Sequence, residues 1–203
     1  RAWAQAHPEI PLTLELRENG GAAAARNAGI ARTETEFLAF VDQDDMLAPT
    51  YLQRYMEAMA ASGADIVCGG YLRYDAEKNR VLRRVALDSD PWARFVVSAP
   101  WAHLYRTAFL REHHIRFLKT SIGEDIYFSL MAYAHTDRVK IIPDTGYYWI
   151  NNPSSVSNSR QKRIGPAVDP FVLLNALDRD LPPRGALPRE QLEYYLQLLQ
   201  VNN

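Results

Sequence analysis

A short apolar run, Phe37–Val41, ends abruptly in Asp42-Gln43-Asp44-Asp45, and this junction constrains the chain more than any other stretch. Apolar runs of this length with polar boundaries read as buried strands of a parallel sheet. In open α/β sheets, ligands bind just beyond the carboxyl ends of such strands. Along an extended backbone Asp42 and Asp44 would share one side, with Gln43 on the other. Two carboxylates aimed at one point repel and raise each other's pKa. A hard divalent cation, Mg2+ or Mn2+, removes that conflict, with water and phosphate oxygens completing its shell. The plainer alternative is that the acids cap the next segment and face water. Spacing alone leaves both open.

With 203 residues, the chain is one domain or a domain with an appendage, and its 47% hydrophobic content is enough for a substantial core. A net charge of −1 gives no global electrostatic reason to bind nucleic acid. Cys68 is the sole cysteine, which excludes an intramolecular disulfide and a Cys-based zinc site. No apolar run approaches the ~20 residues that span a bilayer, so any membrane association is expected to be peripheral.

Leu12–Leu16 alternates apolar and polar and predicts a strand. After Asn19-Gly20-Gly21, the run Ala22–Ala25 predicts a helix that carries Arg26 and Asn27. The glycines permit close backbone approach at its N-terminus, where free N–H groups suit phosphate. In isolation Arg26 reads as a solvated surface arginine. Pro49 suits a first helical position, with Leu52, Tyr55, Met56, Met59 and Ala60 forming an apolar stripe that Gly63 stops. Ala64–Cys68 predicts a strand, and Tyr71–Tyr74 with Arg80, Arg83 and Arg84 a hairpin with a solvated basic edge. Pro91–Ser98 predicts a short helix. Trp101–Arg106 mixes aromatic and polar groups, suited to stacking on sugars or to a core wall. Thr107 would cap a helix running to about His114.

Gly123-Glu124-Asp125 opens a helix with Ile126, Leu130, Met131 and Ala134 on one side. Acids in a first turn gain from the macrodipole, and the same position keeps a carboxylate ionised, as a general base requires. Arg138–Pro143 and Gly146–Ile150 predict strands. From Asn151 a long polar loop runs to Arg160, Lys162 and Arg163, a lid or a linker. Pro188 opens a last amphipathic helix. His103, His113, His114 and His135 show no metal-ligand spacing.

Asn19–Ile30, Phe40–Asp45, Trp101–Arg106, Gly123-Glu124-Asp125 and Tyr147–Trp149, in this order and spacing, resemble the family 2 glycosyltransferases of the GT-A fold. The likeness covers roughly residues 10–160. It implies an α/β fold with a mostly parallel sheet flanked by helices over residues 1–160. Residues 161–203 would then be a lid and helical extension. It also implies an inverting transfer from a nucleotide-diphosphate sugar, a UDP-sugar, to a hydroxyl of a glycan or lipid-linked acceptor. By the resemblance, Arg26, Asn27, Asp42 and Asp44 hold the donor, and Asp44 with Asp42 holds Mn2+ or Mg2+. Asp125 takes the acceptor proton and Glu124 orients substrate beside it. A bacterial surface-polysaccharide pathway at the cytoplasmic face of the membrane is the implied setting. Family members begin with a strand ending in Pro-x-Tyr/Phe-Asn and a second ending in Asp-Asp-Gly-Ser; neither occurs here. The chain is therefore expected to lack an N-terminal strand–helix–strand segment. Ala102-His103 and Ile150 also depart from the family pattern. A phosphotransferase using Asp-x-Asp would want a nearby Thr, and Met46 follows instead. A non-catalytic carbohydrate-binding derivative of the same fold is the remaining alternative.

Overall fold

Four consecutive alanines nucleate helix α1 (Gly21–Arg32), in a computed structural model that describes residues 5–120, 123–152, 170–183 and Glu193. The Asn19 side chain accepts from the Gly21 N–H at its start (3.1 Å), and the helix closes where the Thr33 N–H bonds the Gly29 carbonyl. Ala23 and Ile30 are its buried residues. Arg26 and Asn27 fall between them on the same stripe.

The chain continues through β1 (Phe37–Leu38), β2 (Met46–Leu47), α2 (Tyr51–Ser62), β3 (Ile66–Cys68), β4 (Tyr71–Asp75) and β5 (Arg80–Val85). A 3-10 turn (Pro91–Phe95), β6 (His103–Arg106), α3 (Thr107–Glu112), α4 (Glu124–Ala134), β7 (Val139–Ile141), β8 (Tyr147–Ile150) and α5 (Pro170–Asp180) follow. The strands form two four-stranded sheets, ordered β1-β6-β3-β7 and β2-β8-β4-β5. The α/β class with flanking helices holds, but the pairing is mixed: β3–β7 and β4–β8 are parallel and the other ladders antiparallel. β1 is not the expected buried parallel strand. Its ladder is limited to Phe37 and Leu38, runs antiparallel to β6 and leaves both residues half-buried, while Phe40 is buried beyond it.

Two strand pairs cross from one sheet to the other side by side. β3 passes into β4 through Gly69-Gly70, and β7 into β8 past Asp144 and Gly146. The Gly70 N–H bonds the Asp144 carbonyl (2.8 Å), and the buried Asp144 carboxylate accepts from the Gly146 N–H and Arg54 (2.7 Å each). The crossing admits no side chain at Gly70, whose Cβ would stand 1.8 Å from the Val85 carbonyl oxygen. Just before it lies Cys68, fully buried, with its thiol pushed up to about 12 by that burial.

One apolar cluster lies among α1, α3, α4 and α5 and includes Phe40, Tyr105, Phe117, Phe128, Leu173 and Leu177. Another joins α2 to the crossing strands through Tyr51, Tyr55, Met59, Trp101 and Tyr147. Trp101 stacks on Tyr147 (4.7 Å, 11°), so Trp101–Tyr105 is a core wall and not a sugar platform.

Several expectations change. Leu12–Leu16 is no strand: its leucines are 57–72% exposed and no ladder forms among the described residues, although Glu15 reaches Arg32 of α1 (2.6 Å). Alternation sets a strand's faces, but a strand also needs a neighbour to bond. Helix α2 starts at Tyr51, two residues after Pro49, and buries Tyr51, Tyr55 and Met59, leaving Leu52 and Met56 exposed. The tyrosines set this rotation, since Tyr51 packs on both Tyr55 and Tyr147. Arg106 occupies the N-cap of α3, and the hydroxyl of Thr107 is buried without a partner. Gly63 ends α2 in the left-handed conformation as expected, and β4–β5 is the expected hairpin with an exposed basic edge. The domain boundary near residue 160, the cations Arg160, Lys162 and Arg163, and the helix at Pro188 lie outside the described residues.

Replacing Gly70 by Ala should destabilise the chain by about 1–3 kcal/mol, the range of an overpacked interior. A fall in the urea midpoint at unchanged slope checks it.

Candidate active site

Arg26 joins the two acidic stretches. One guanidinium nitrogen donates to Asp42 Oδ1 and another to Asp125 Oδ1, each at 2.7 Å. Its side chain is only 14% exposed, so the surface-arginine expectation fails. The guanidinium also lies over the Phe117 ring, 5.3 Å from its centre. Phe117 in turn stacks on Phe128 (4.1 Å, 5°). Asn27 fixes this floor, donating to the Phe117 carbonyl and accepting from its N–H, both at 2.8 Å. The side chain of Asn27, expected to hold donor, thus serves the backbone beneath Arg26.

The acidic stretch does not run extended as the strand argument assumed. The Asp45 N–H bonds the Asp42 carbonyl (3.1 Å), closing a turn through Gln43 and Asp44. Asp45 anchors it to β8, accepting from the Tyr147 hydroxyl (2.6 Å) and the Ile150 N–H (2.9 Å). The Asp42 N–H donates to the same hydroxyl (3.3 Å). Burial raises the pKa of Asp45, opposed by these hydrogen bonds. Asp44, at the turn, is exposed and has no hydrogen bond or ion pair among the described residues. The three acids therefore divide: Asp42 on Arg26, Asp45 on β8, and Asp44 free to take a ligand.

Gly123 (φ +79°) caps α4 and sets Glu124 and Asp125 in its first turn. Burial pushes the Asp125 carboxyl up to about 7; Arg26 opposes the shift, while Glu124 and Asp42 add to it. Burial likewise disfavours the charge of Arg26, but Asp125 and Asp42 outweigh it and raise its pKa. Asp42, Asp125 and Glu124 thus all act electrostatically on one guanidinium. Asp44 and the second oxygen of Asp42 are oxygen donors of the type a hard cation takes. No group of three His, Cys, Asp or Glu that could hold a metal exists among the described residues. A cation there would need water or phosphate oxygens as further ligands, the usual habit of Mg2+.

The model of glycosyl transferase family 2 matches residues 2–127, more than half of the sequence. The chain belongs to this family. It is 28% identical over 166 residues to the uncharacterized glycosyltransferase EpsJ of Bacillus subtilis, covering 74% of this chain and 47% of that protein. Over 141 residues it is 27% identical to TarS, a poly(ribitol-phosphate) beta-N-acetylglucosaminyltransferase of Staphylococcus aureus, covering 64% of this chain and 24% of the relative. A crystal structure of S. aureus TarS 1–349 in complex with UDP-GlcNAc superposes with a TM-score of 0.74 at 19% identity, over 96% of this chain and 58% of that one. That likeness is one of fold, and the fold is GT-A-like. This family 2 chain spans about half the length of curated relatives such as EpsJ.

The sequence carries no local signal for the supporting contacts of Phe117, Asp45 and Tyr147. Their partners lie 90 to 105 residues away, beyond any local pattern. Replacing Tyr147 by Phe leaves an Asp45 oxygen short of its donor and should cost about 1–3 kcal/mol. Urea unfolding of the variant, with unchanged far-UV circular dichroism of the folded state, checks it.

Proposed function

We propose that this chain is the catalytic part of an inverting, metal-assisted glycosyltransferase. It would move a sugar from a nucleotide-diphosphate donor, a UDP-sugar, to a hydroxyl of a glycan or lipid-linked acceptor. The observation that carries this reading is the single guanidinium shared by Asp42 and Asp125, the acids read here as the donor-side group and the base. The names of the relatives, glycosyltransferases among them, and the UDP-GlcNAc complex of the structural neighbour support the reaction class.

The chemistry follows from charge. Asp42, Asp44, Glu124 and Asp125 give the site an excess of negative charge over Arg26, so a diphosphate needs cationic help to bind. Mn2+ or Mg2+ on Asp44 and Asp42 would supply it and offset charge on the leaving diphosphate. Arg26 adds a donor fork matched to phosphate oxygens. On the acceptor side Asp125 takes the hydroxyl proton as the hydroxyl oxygen attacks the anomeric carbon, and Glu124 orients the sugar. A carboxyl that titrates near 7 is both partly ionised at neutral pH and basic enough to accept that proton. Activated sugars place the work on the cytoplasmic side, in surface-polysaccharide assembly, with peripheral contact to a membrane-borne acceptor. Among the described residues no helix is long and apolar enough to cross a membrane.

Full-length protein with a UDP-sugar and acceptor should turn over with Mn2+ and stop with EDTA, and Asp44→Ala should abolish the response to metal. Metal-dependent turnover that survives Asp44→Ala would remove the ligand assignment. Asp125 ionises as pH rises through about 7, so kcat/KM should climb with pH and level off above that value. Asp125→Asn should erase this limb and lower kcat about 10²–10⁴-fold, the usual contribution of a general base. A pH–rate series on both proteins decides it.

A further inference from the structure

Helix α5 lies C-terminal to the residues matched by the family and would conventionally be an appendage. Its contacts say otherwise. Leu173 sits directly over Gly123, the residue that caps α4: its Cδ2 lies 2.6 Å from where a Gly123 Cβ would stand. Seven residues on, in the last turn, Asp180 accepts from the Tyr127 hydroxyl (2.7 Å), one helical turn past Gly123. Arg179 donates twice to the same carboxylate (2.7 Å each) and keeps it ionised as an acceptor. Between these contacts Leu177 is fully buried and Ala176 nearly so, in the region where Phe128 and Leu130 of α4 are buried. The first turn of α4 is thus gripped from behind at its cap and at Tyr127, while Asp125 reaches forward to Arg26.

We propose that α5 is a positioning element of the transfer site, with Leu173 and Asp180 holding the first turn of α4 so that Asp125 keeps its place against Arg26. The proposal rests on Asp125 being the base of the transfer described above. Leu173 fills the space that a side chain on the cap residue would occupy, so the cap and the α5 contact are one joint. Asp180 fixes rotation of α4 about its axis, since Tyr127 lies two residues from Asp125 and on another face. A base must stand within hydrogen-bond reach of the proton it takes, so slack in this turn costs rate more than donor binding.

The test uses the full-length protein with Leu173→Ala, Tyr127→Phe and the volume-conserving Leu173→Met. Two quantities are read: kcat against donor KM, and the titration of the Asp125 carboxyl by 13C NMR. The groups facing that carboxyl are Arg26 from α1, Asp42 from the acidic turn and Glu124 from α4. Leu173→Ala and Tyr127→Phe should each lower kcat roughly ten- to a hundredfold, the scale of a misplaced catalytic group. Donor KM should stay within about twofold. The Asp125 midpoint should move away from about 7, and Leu173→Met should restore both readouts. Should Leu173→Ala fail to fold, Tyr127→Phe carries the test. Folded variants that keep kcat and midpoint, or lose donor KM in step with kcat, overturn the proposal. A parent protein with no transferase activity whose Asp125 midpoint still shifts in the variants supports the clamp and removes the transfer reading, so the two failures are distinguishable.

Discussion

The arrangement around Arg26 depends on one guanidinium held between two carboxylates that are far apart in sequence. Asp42 and Asp125 approach the same point from a turn after β1 and from the start of α4. Without a cation between them they would repel. Arg26 can fill that place because α1 buries Ala23 and Ile30, which turns the intervening residue inward. The Phe117 ring then supports the guanidinium from below, and Asn27 holds that ring's backbone from the neighbouring helical position. A helix rotated by one residue would lose the ion pairs and the floor together.

The acidic turn shows how three carboxylates within four residues acquire separate roles. Asp45 is an internal acceptor for β8, Asp42 is an ion-pair partner, and Asp44 remains open at the exposed corner. The division is made by Tyr147, whose hydroxyl accepts from the Asp42 N–H and donates a hydrogen bond to Asp45. Because the ring of Tyr147 is stacked on Trp101 within the second core, the turn inherits the rigidity of that core. Preorganisation of this kind matters where charge develops during reaction, since fixed groups need not reorganise.

Local signals in the sequence carried far. The alanine run, Gly63 and the basic hairpin all read correctly because each depends on a few neighbouring residues. What was illegible depends on distant partners. Leu12–Leu16 alternates like a strand, yet alternation cannot say whether a neighbouring strand is present. The rotation of α2 follows from Tyr51 meeting Tyr147, which no helical periodicity contains. The extended geometry assumed for Asp42 and Asp44 failed for a similar reason: a tyrosine more than a hundred residues away helps hold the chain in a turn. Arg26, Asp42 and Asp125 were legible as chemical groups, and the distant contacts that hold them were not.

The burial of Cys68 has a practical consequence. A thiol sealed inside β3 and held up to about 12 offers almost no thiolate to an electrophile at neutral pH. This chain is therefore silent toward maleimides and iodoacetamides while folded. A cysteine introduced at an exposed position such as Gln43 would be the reactive handle of this chain, and a fluorophore there would test whether a cation or nucleotide arrives.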